Sequence, residues 1–271
     1  MKIKRKKIGL ALGGGGSKGF AHIGVIKVLK KNNIPIDFIT GTSIGALVGG
    51  FYAASEDPEY LESVASGSSS GKFISLMTEF TGGRGGIVGG EKVLNFLSEG
   101  LDGIDFKDLK IPLAVTATEL NSGETEYFEK SGDVAQAIRA SISYPPIFSP
   151  YKIKNKLYVD GGLSCQVPAQ KARLMGADLV IAVNLEDEYV LNKKVFEKES
   201  IMTSTYSVFN ASIKILVKKV AEYDIKEADI ALNLPVGRFK TWSDFGRAKD
   251  LIKIGEEFTK KNIKNIKKAL L

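Results

Sequence analysis

The amino-acid sequence predicts a three-layer α/β/α domain built on a mainly parallel central sheet. Three observations carry that expectation. Short apolar runs suited to buried strands alternate along the chain with segments whose apolar residues recur at helical spacing. Glycine-rich turns stand where strand gives way to helix, at Gly13-Gly14-Gly15-Gly16-Ser17-Lys18-Gly19 and around Gly41-Thr42-Ser43-Ile44-Gly45. The 271 residues suffice for one large core and no Pro/Ser-rich linker divides them, so a single domain over 1–271 is expected.

Taken in order, the strand-like run Lys7 to Leu12 enters the first glycine turn, and Phe20 to Lys31 follows as a helix. Ile34 to Thr40 is the next strand. The helix from Ile44 to Ala54 carries Gly45, Ala46, Gly49, Gly50 and Ala53, small residues that let a helix lie close on a sheet. Glycine and serine dominate Ser66 to Gly90, where no packed periodicity is legible and a mobile segment is expected. Glu91 to Leu101 reads as helix, and Ile111 to Leu120 as a strand that Asn121-Ser122-Gly123 turns into a second strand near Glu126 to Phe128.

The helix Val134 to Ile142 stops before Tyr144-Pro145-Pro146, because the residue ahead of a proline is pushed out of helical geometry. Leu157-Tyr158-Val159 forms a short strand ending at Asp160-Gly161-Gly162. Ala169 to Met175 is helical with Gly176 as its stop, and Leu179 to Leu185 is a buried-type strand. A longer helix, Ile201 to Ala221, precedes the apolar run Ile230 to Leu234.

The net charge of +7 gathers at the ends, in Lys2 to Lys7 and in the tail Lys260 to Leu271, a distribution that suits an anionic surface. In the tail Ile263, Ile266 and Leu270 recur at helical spacing. The favoured reading is a solvated C-terminal helix packing one apolar edge on the core, ahead of a surface-binding amphipathic helix. Basic residues without interleaved aromatics argue against nucleic acid. A single cysteine, Cys165, excludes an intramolecular disulfide framework and a thiolate zinc site, which fits a cytoplasmic location. No secretory segment or membrane-spanning run is evident, so membrane contact would be peripheral.

The turn Gly41-Thr42-Ser43-Ile44-Gly45 reads as a nucleophile elbow, with Ser43 on a tight strand-to-helix turn beside a helix N-terminus. Flanking glycines there are expected to tolerate the strained backbone. Serine chemistry needs a base and fixed donors for an oxyanion. Two bases are available: His22, the one histidine, and Asp160, at a strand end where parallel sheets gather their ligands. The glycine loop is equally open. Gly14-x-Gly16-x-x-Gly19, with Asp37 downstream, satisfies a dinucleotide fingerprint, yet the same loop can offer backbone amides to an oxyanion. Cys165 paired with His22 is a lesser alternative.

Three segments in this order, Gly14-Gly15-Gly16-Ser17-Lys18-Gly19, Gly41-Thr42-Ser43-Ile44-Gly45 and Asp160-Gly161-Gly162, resemble the patatin-like phospholipases. Ala21-His22-Ile23-Gly24-Val25 and Ala140-Ser141-Ile142-Ser143 leading to Pro145, Phe148 and Pro150 extend the resemblance over roughly residues 7 to 185. It implies Ser43 as nucleophile, Asp160 as its dyad base, and amides around Gly14, Gly15 and Gly16 as the oxyanion hole. Ser17, Lys18, Gly19, Gly41, Gly45, Gly161 and Gly162 would support the motifs, and His22 would be structural.

The implied activity is hydrolysis of lipid acyl esters, of phospholipase A, lysophospholipase or carboxylesterase type, at a membrane or micelle surface and without metal or cofactor. From its glycine- and serine-rich composition alone, Ser66 to Gly90 is expected to cover the acyl pocket. Two positions depart from the family pattern: Lys18 stands where arginine is common, and Gln166 where asparagine often precedes the proline. The rival readings are a dinucleotide-binding oxidoreductase and a lipid-binding protein of the same fold with weak catalysis.

Overall fold

The computed structural model describes residues 5–66, 89–145, 147–186 and 201–271, the last stretch with side chains from Val208 onward. Its centre is β1 (Ile8–Leu12), buried along its whole length. Parallel neighbours lie on both sides: β2 (Phe38–Thr42), pairing Leu10 with Ile39, and β7 (Leu179–Asn184), pairing Leu10 with Ile181. Beyond them stand β3 (Leu113–Glu119), parallel to β2, and β8 (Ile230–Asn233), parallel to β7. Three pairings are antiparallel: β4 (Thr125–Phe128) and β6 (Lys156–Asp160) pair with β3, and β5 (Tyr151–Ile153) pairs with β6. The hydrogen-bonded path is β5-β6-β3-β2-β1-β7-β8.

Alternation within β1 sets the two faces of the sheet. Ile8, Leu10 and Leu12 join the large core, which also takes in α1 (Phe20–Lys31), α2 (Ile44–Ser55) and the C-terminal α8 (Ala248–Leu270). Ala11 faces the other way into a cluster of small residues with Ala169 and Ala172 of α6 (Ala169–Leu174). That face is thin. A Cβ on Gly9 would stand 2.9 Å from Ala172 Cβ and Ala177 Cβ, so α6 lies almost on the strand.

The remaining helices are α3 (Pro58–Ser66), α4 (Glu91–Leu101), α5 (Val134–Ser141) and α7 (Ile201–Asp224). The mainly parallel sheet and its flanking helices agree with the sequence reading, with differences at the margins. Helix α3 and strand β5 carry too few periodic residues to be read from sequence. Strand β2 starts four residues later than expected, because the Ile34 amide returns to Leu29 O (3.0 Å) to close α1. Most of the glycine- and serine-rich stretch, 67–88, lies outside the described residues.

The C-terminal tail is a largely solvated helix that packs one apolar edge on the core, as its favoured reading expected. Ile266 is fully buried, and α8 crosses α1 at backbone contact: a Cβ on Gly24 would lie 2.0 Å from Ile252 O, and one on Gly255 2.0 Å from Ala21 O. Both clashes are with backbone, which cannot rotate away. Gly255→Val is therefore expected to lower the unfolding free energy by about 3 kcal/mol or more, at the upper end of overpacking costs, as read from urea unfolding. Among the described residues no helix is long and apolar enough to cross a membrane.

Candidate active site

Strand register brings the key side chains together. One edge of β3 is covered by β4; along the other, β2 pairs with Leu113 to Thr116 and β6 with Ala117 to Glu119. Strands β2 and β6 therefore run toward each other and end head to head, Thr42 opposite Thr116 and Asp160 opposite Ala117. The residue after Thr42 is Ser43. Its Oγ donates to Asp160 Oδ2 at 2.6 Å, and both residues are buried. Sequence reasoning expected convergence of parallel strand ends, whereas the carboxylate arrives on an antiparallel strand from the opposite direction.

Ser43 has φ 53° and ψ −123°, a backbone conformation that costs a non-glycine residue of order 1–3 kcal/mol. The strain sits on the serine itself. Gly41 and Gly45 have another role than the one expected of them, since neither has a positive φ. Glycine is needed for space: a Cβ on Gly41 would lie 2.6 Å from Ala46 N, and one on Gly45 2.1 Å from Leu12 O. The elbow is held by the Ser43 amide, which donates to Ser141 Oγ (2.8 Å), and by Ser43 O, which accepts from the Ala46 and Leu47 amides.

Asp160 is oriented at both oxygens. Oδ1 accepts from the Gly162 amide at 2.8 Å, leaving Oδ2 to Ser43, and the Asp160 carbonyl accepts from Thr118 Oγ1 at 2.9 Å. Burial raises the carboxyl to about 6, against the opposing pull of the Ser43 and Gly162 hydrogen bonds. The glycines after it make room: a Cβ on Gly161 would meet Thr116 O at 2.4 Å, and one on Gly162 would meet Gln166 Oε1 at 2.2 Å.

The glycine loop leaves the end of β1 beside this pair. The Gly13 amide donates to Val183 O and the Gly14 amide to Gln166 O (3.1 Å), while Ser17 is tied by its amide to Thr241 O and by its hydroxyl to Lys240 O. Between these anchors Gly15 and Gly16 have φ 154° and 57°, and among the described residues their amides donate to no backbone or side-chain acceptor. Lys18 is buried and pairs with Glu186 (2.6 Å), with Leu185 O nearby at 3.3 Å, so its charge ties the loop to the segment after β7. Gly19 packs against Ile44, where any Cβ would lie 2.2 Å from Cγ1.

His22 is fully buried with Nε2 donating to Gly13 O at 2.8 Å; desolvation lowers its pKa to about 4, so it is neutral. It braces the loop. Asp37 stands before the start of β2, bound to Arg5 and to the Ile8 amide, at the opposite end of the strands from the glycine loop. A ribose-binding carboxylate belongs at the loop end, so this placement counts against the dinucleotide reading. Cys165 is buried beside Asp224, and burial pushes its thiol up to about 12, the reverse of an activated nucleophile.

Ser43 lies at the junction of two spaces. A cleft with polar groups is lined by Gly15, Gly16, Asp160, Gln166, Lys214 and Trp242. A small apolar one is lined by Ile44, Leu47, Val93, Ile142, Phe148 and Phe245.

The family model for patatin-like phospholipases matches residues 10–173, which hold the glycine loop, the elbow and the Asp-Gly-Gly turn. The chain belongs to the patatin-like phospholipase family. An uncharacterized NTE family protein of Mycobacterium tuberculosis is 35% identical over 179 residues, covering 66% of this chain and 49% of that protein. Lysophospholipase nte1 of Emericella nidulans is 29% identical over 182 residues, covering 66% of this chain and 12% of the fungal protein. This patatin-like chain thus spans about half the length of its mycobacterial relative. In fold it is similar to VipD of Legionella pneumophila, with a TM-score of 0.53 at 14% identity over 97% of this chain and 67% of the other.

Several residues of the patatin-like site escape sequence reasoning. Trp242 and Phe245 reach it from far along the chain and Lys214 from α7, with no local pattern to mark them. Ser141 sits inside a segment quoted for the family, yet only contact reveals its bond to the elbow. Arg139 did carry a signal. It interrupts the apolar face of α5 and is 1% exposed, and a buried arginine has to be fully bonded.

Proposed function

We propose that this patatin-like phospholipase hydrolyses acyl esters of phospholipids or lysophospholipids with Ser43 as nucleophile and Asp160 as general base. The observation that carries the reading is the 2.6 Å bond from Ser43 Oγ to Asp160 Oδ2, at the meeting point of a polar and an apolar space. Asp160 takes the hydroxyl proton as Oγ attacks the acyl carbonyl. The tetrahedral oxyanion is received by the amides of Gly15 and Gly16, while the Gly14 amide, held by Gln166 O, fixes the loop. Collapse breaks the ester bond, and Asp160 returns its proton to the departing alcohol. Water then attacks the acyl-enzyme with Asp160 again as base, releasing a fatty acid and restoring Ser43. The fatty tail occupies the apolar space and the head group faces the polar cleft, where Lys214 offers a cation to phosphate.

The name of the fungal relative, lysophospholipase, supports the substrate class. A carboxyl raised to about 6 is a stronger base than an ordinary aspartate and is still ionised at neutral pH. The test is a lipid panel with mass spectrometry of products, run beside fluorophosphonate labelling, for the native chain and Ser43→Ala. Labelling at Ser43 and free fatty acid only from the native chain are expected; vesicle binding without ester turnover would leave a lipid-binding protein instead. His22→Gln is expected to keep kcat within about tenfold, less than the loss of a general base produces. Loss of the chemical step in a folded His22→Gln would restore a histidine mechanism.

A further inference from the structure

The segment Cys165 to Val167, between the Asp-Gly-Gly turn and α6, is bonded to both halves of the site. Its carbonyls accept: Cys165 O takes the Thr42 hydroxyl (2.9 Å), on the residue before Ser43, and Gln166 O takes the Gly14 amide (3.1 Å), in the glycine loop. Its amides converge on one atom. Asp224 Oδ2, on the last residue of α7, accepts from the Gln166 amide at 2.6 Å and from the Val167 amide at 2.9 Å. Each N–H shares a planar peptide group with the preceding carbonyl, so the two groups bound by Asp224 are the two whose oxygens hold Thr42 and Gly14. A carboxylate on the N–H side of a peptide strengthens its carbonyl as an acceptor, because bonds in a chain polarise one another. The Gln166 side chain adds a mechanical link, filling the gap between loop and turn: its Oε1 would lie 2.9 Å from a Cβ on Gly14 and 2.2 Å from one on Gly162.

We propose that Asp224 is a positioning residue for catalysis: from the end of α7 its carboxylate fixes the two peptide groups that hold the glycine loop and the elbow, and so sets where the oxyanion is received. This rests on the hydrolase reading for what the loop receives, whereas the bond to the Gly14 amide is measurable without it. Without the carboxylate the buried Gln166 and Val167 amides lose their acceptor, and Gln166 O holds Gly14 less tightly. The amides of Gly15 and Gly16, next along the loop, then settle away from the point where negative charge develops. A misplacement of about 1 Å costs on the order of 10²-fold in rate. Substrate affinity, supplied by the cleft and the apolar space, stays in place.

The experiment measures kcat and KM for p-nitrophenyl butyrate, urea unfolding midpoints, and the Gly14 amide resonance in isotope-labelled protein. The proteins compared are the native chain, Asp224→Asn, Asp224→Ala and Asp229→Ala. Asp229 accepts the Val180 amide (2.7 Å) near the start of β7, at the opposite end of the strands from the glycine loop, so its removal reports the loss of a carboxylate cap alone. In Asp224→Asn, which keeps an acceptor without the charge, kcat is expected to fall about tenfold, and in Asp224→Ala ~10²-fold, with KM within about threefold. The Gly14 amide proton should move upfield in both, further in the alanine variant. Asp229→Ala should lower the unfolding midpoint and leave kcat and the Gly14 resonance unchanged. In an active protein, an unchanged kcat or an unmoved Gly14 resonance in folded Asp224→Asn would overturn the assignment, and so would an equal loss of kcat in Asp229→Ala at equal loss of stability. A Gly14 resonance that moves as expected, in a chain whose native form cleaves no ester, would keep the positioning and reject the hydrolase.

Discussion

Asp160→Asn is expected to lower kcat/KM by ~10³–10⁴-fold in a protein that still folds, as removing the acid-base partner of a serine does elsewhere. Asparagine keeps the shape and can still accept from the Gly162 amide, but it cannot take the Ser43 proton. In the native chain kcat/KM should fall tenfold per pH unit below about 6, where Asp160 protonates, and Asp160→Asn should lose that limb. A native profile flat through pH 6 would exclude the dyad.

The same carboxyl has a signature in stability. Its folded value of about 6 lies above that of an unfolded aspartate, so the folded state binds more protons between about pH 4 and 6. Its contribution to stability is full below the unfolded pKa and lost as pH rises through the folded one, roughly 3 kcal/mol in all. His22 has the opposite sign. Its folded pKa of about 4 lies below the unfolded value, so its contribution is present above pH 6.5 and lost as pH falls toward 4. The two buried groups offset one another across this window. Asp160→Asn removes one of them, so its stability relative to the native chain should fall as pH drops from about 6 to 4. Denaturant midpoints across that range read the difference.

Arg139→Ala is expected to destabilise the protein by ~4 kcal/mol and lower Tm by roughly 10 °C. The guanidinium donates to Gly89 O (2.6 Å), Gly90 O (3.1 Å) and Ser143 Oγ (2.7 Å), and stands 5.2 Å from the ring centres of both Phe148 and Tyr151. Alanine leaves those buried acceptors unmet and opens a cavity besides. Lysine should not rescue it, because a point charge cannot bond in several directions within one plane. Catalysis should suffer too. The Ser143 carbonyl, on a residue bound by Arg139, accepts from the Asp160 amide at 3.0 Å, so Asp160 loses a support. Thermal denaturation of Arg139→Ala and Arg139→Lys decides the point, and a loss under 1 kcal/mol for alanine would refute it.

Much of this was legible in the residues. The parallel strands β1, β3 and β7 are buried on both faces and so read as apolar runs; helices α1 and α4 ended where their periodicity did. Boundaries drifted where a tertiary bond decided them, as at β2. Glycine was read correctly as special, but for a partly mistaken reason at the elbow: Gly41 and Gly45 are small because Ala46 and Leu12 press on them. Such a requirement comes from a neighbour distant in sequence, and no local pattern encodes it. The choice between His22 and Asp160 was open for the same reason. Both residue types suit a base, and their different surroundings, the Nε2 bond to Gly13 O and the bond from Ser43 Oγ, come from contacts across the fold.

Sequence by itself determined the alternation of strand and helix, the glycine turns that end β1 and β2, and the residue types able to perform acyl chemistry, because periodicity and backbone freedom are local properties. Tertiary structure decided which of them meet. The head-to-head ending of β2 and β6 on one edge of β3, the burial that raises Asp160, the neutral His22, and the apolar space beside Ser43 arise from contacts between distant segments. Distance and desolvation become defined only when the chain is packed.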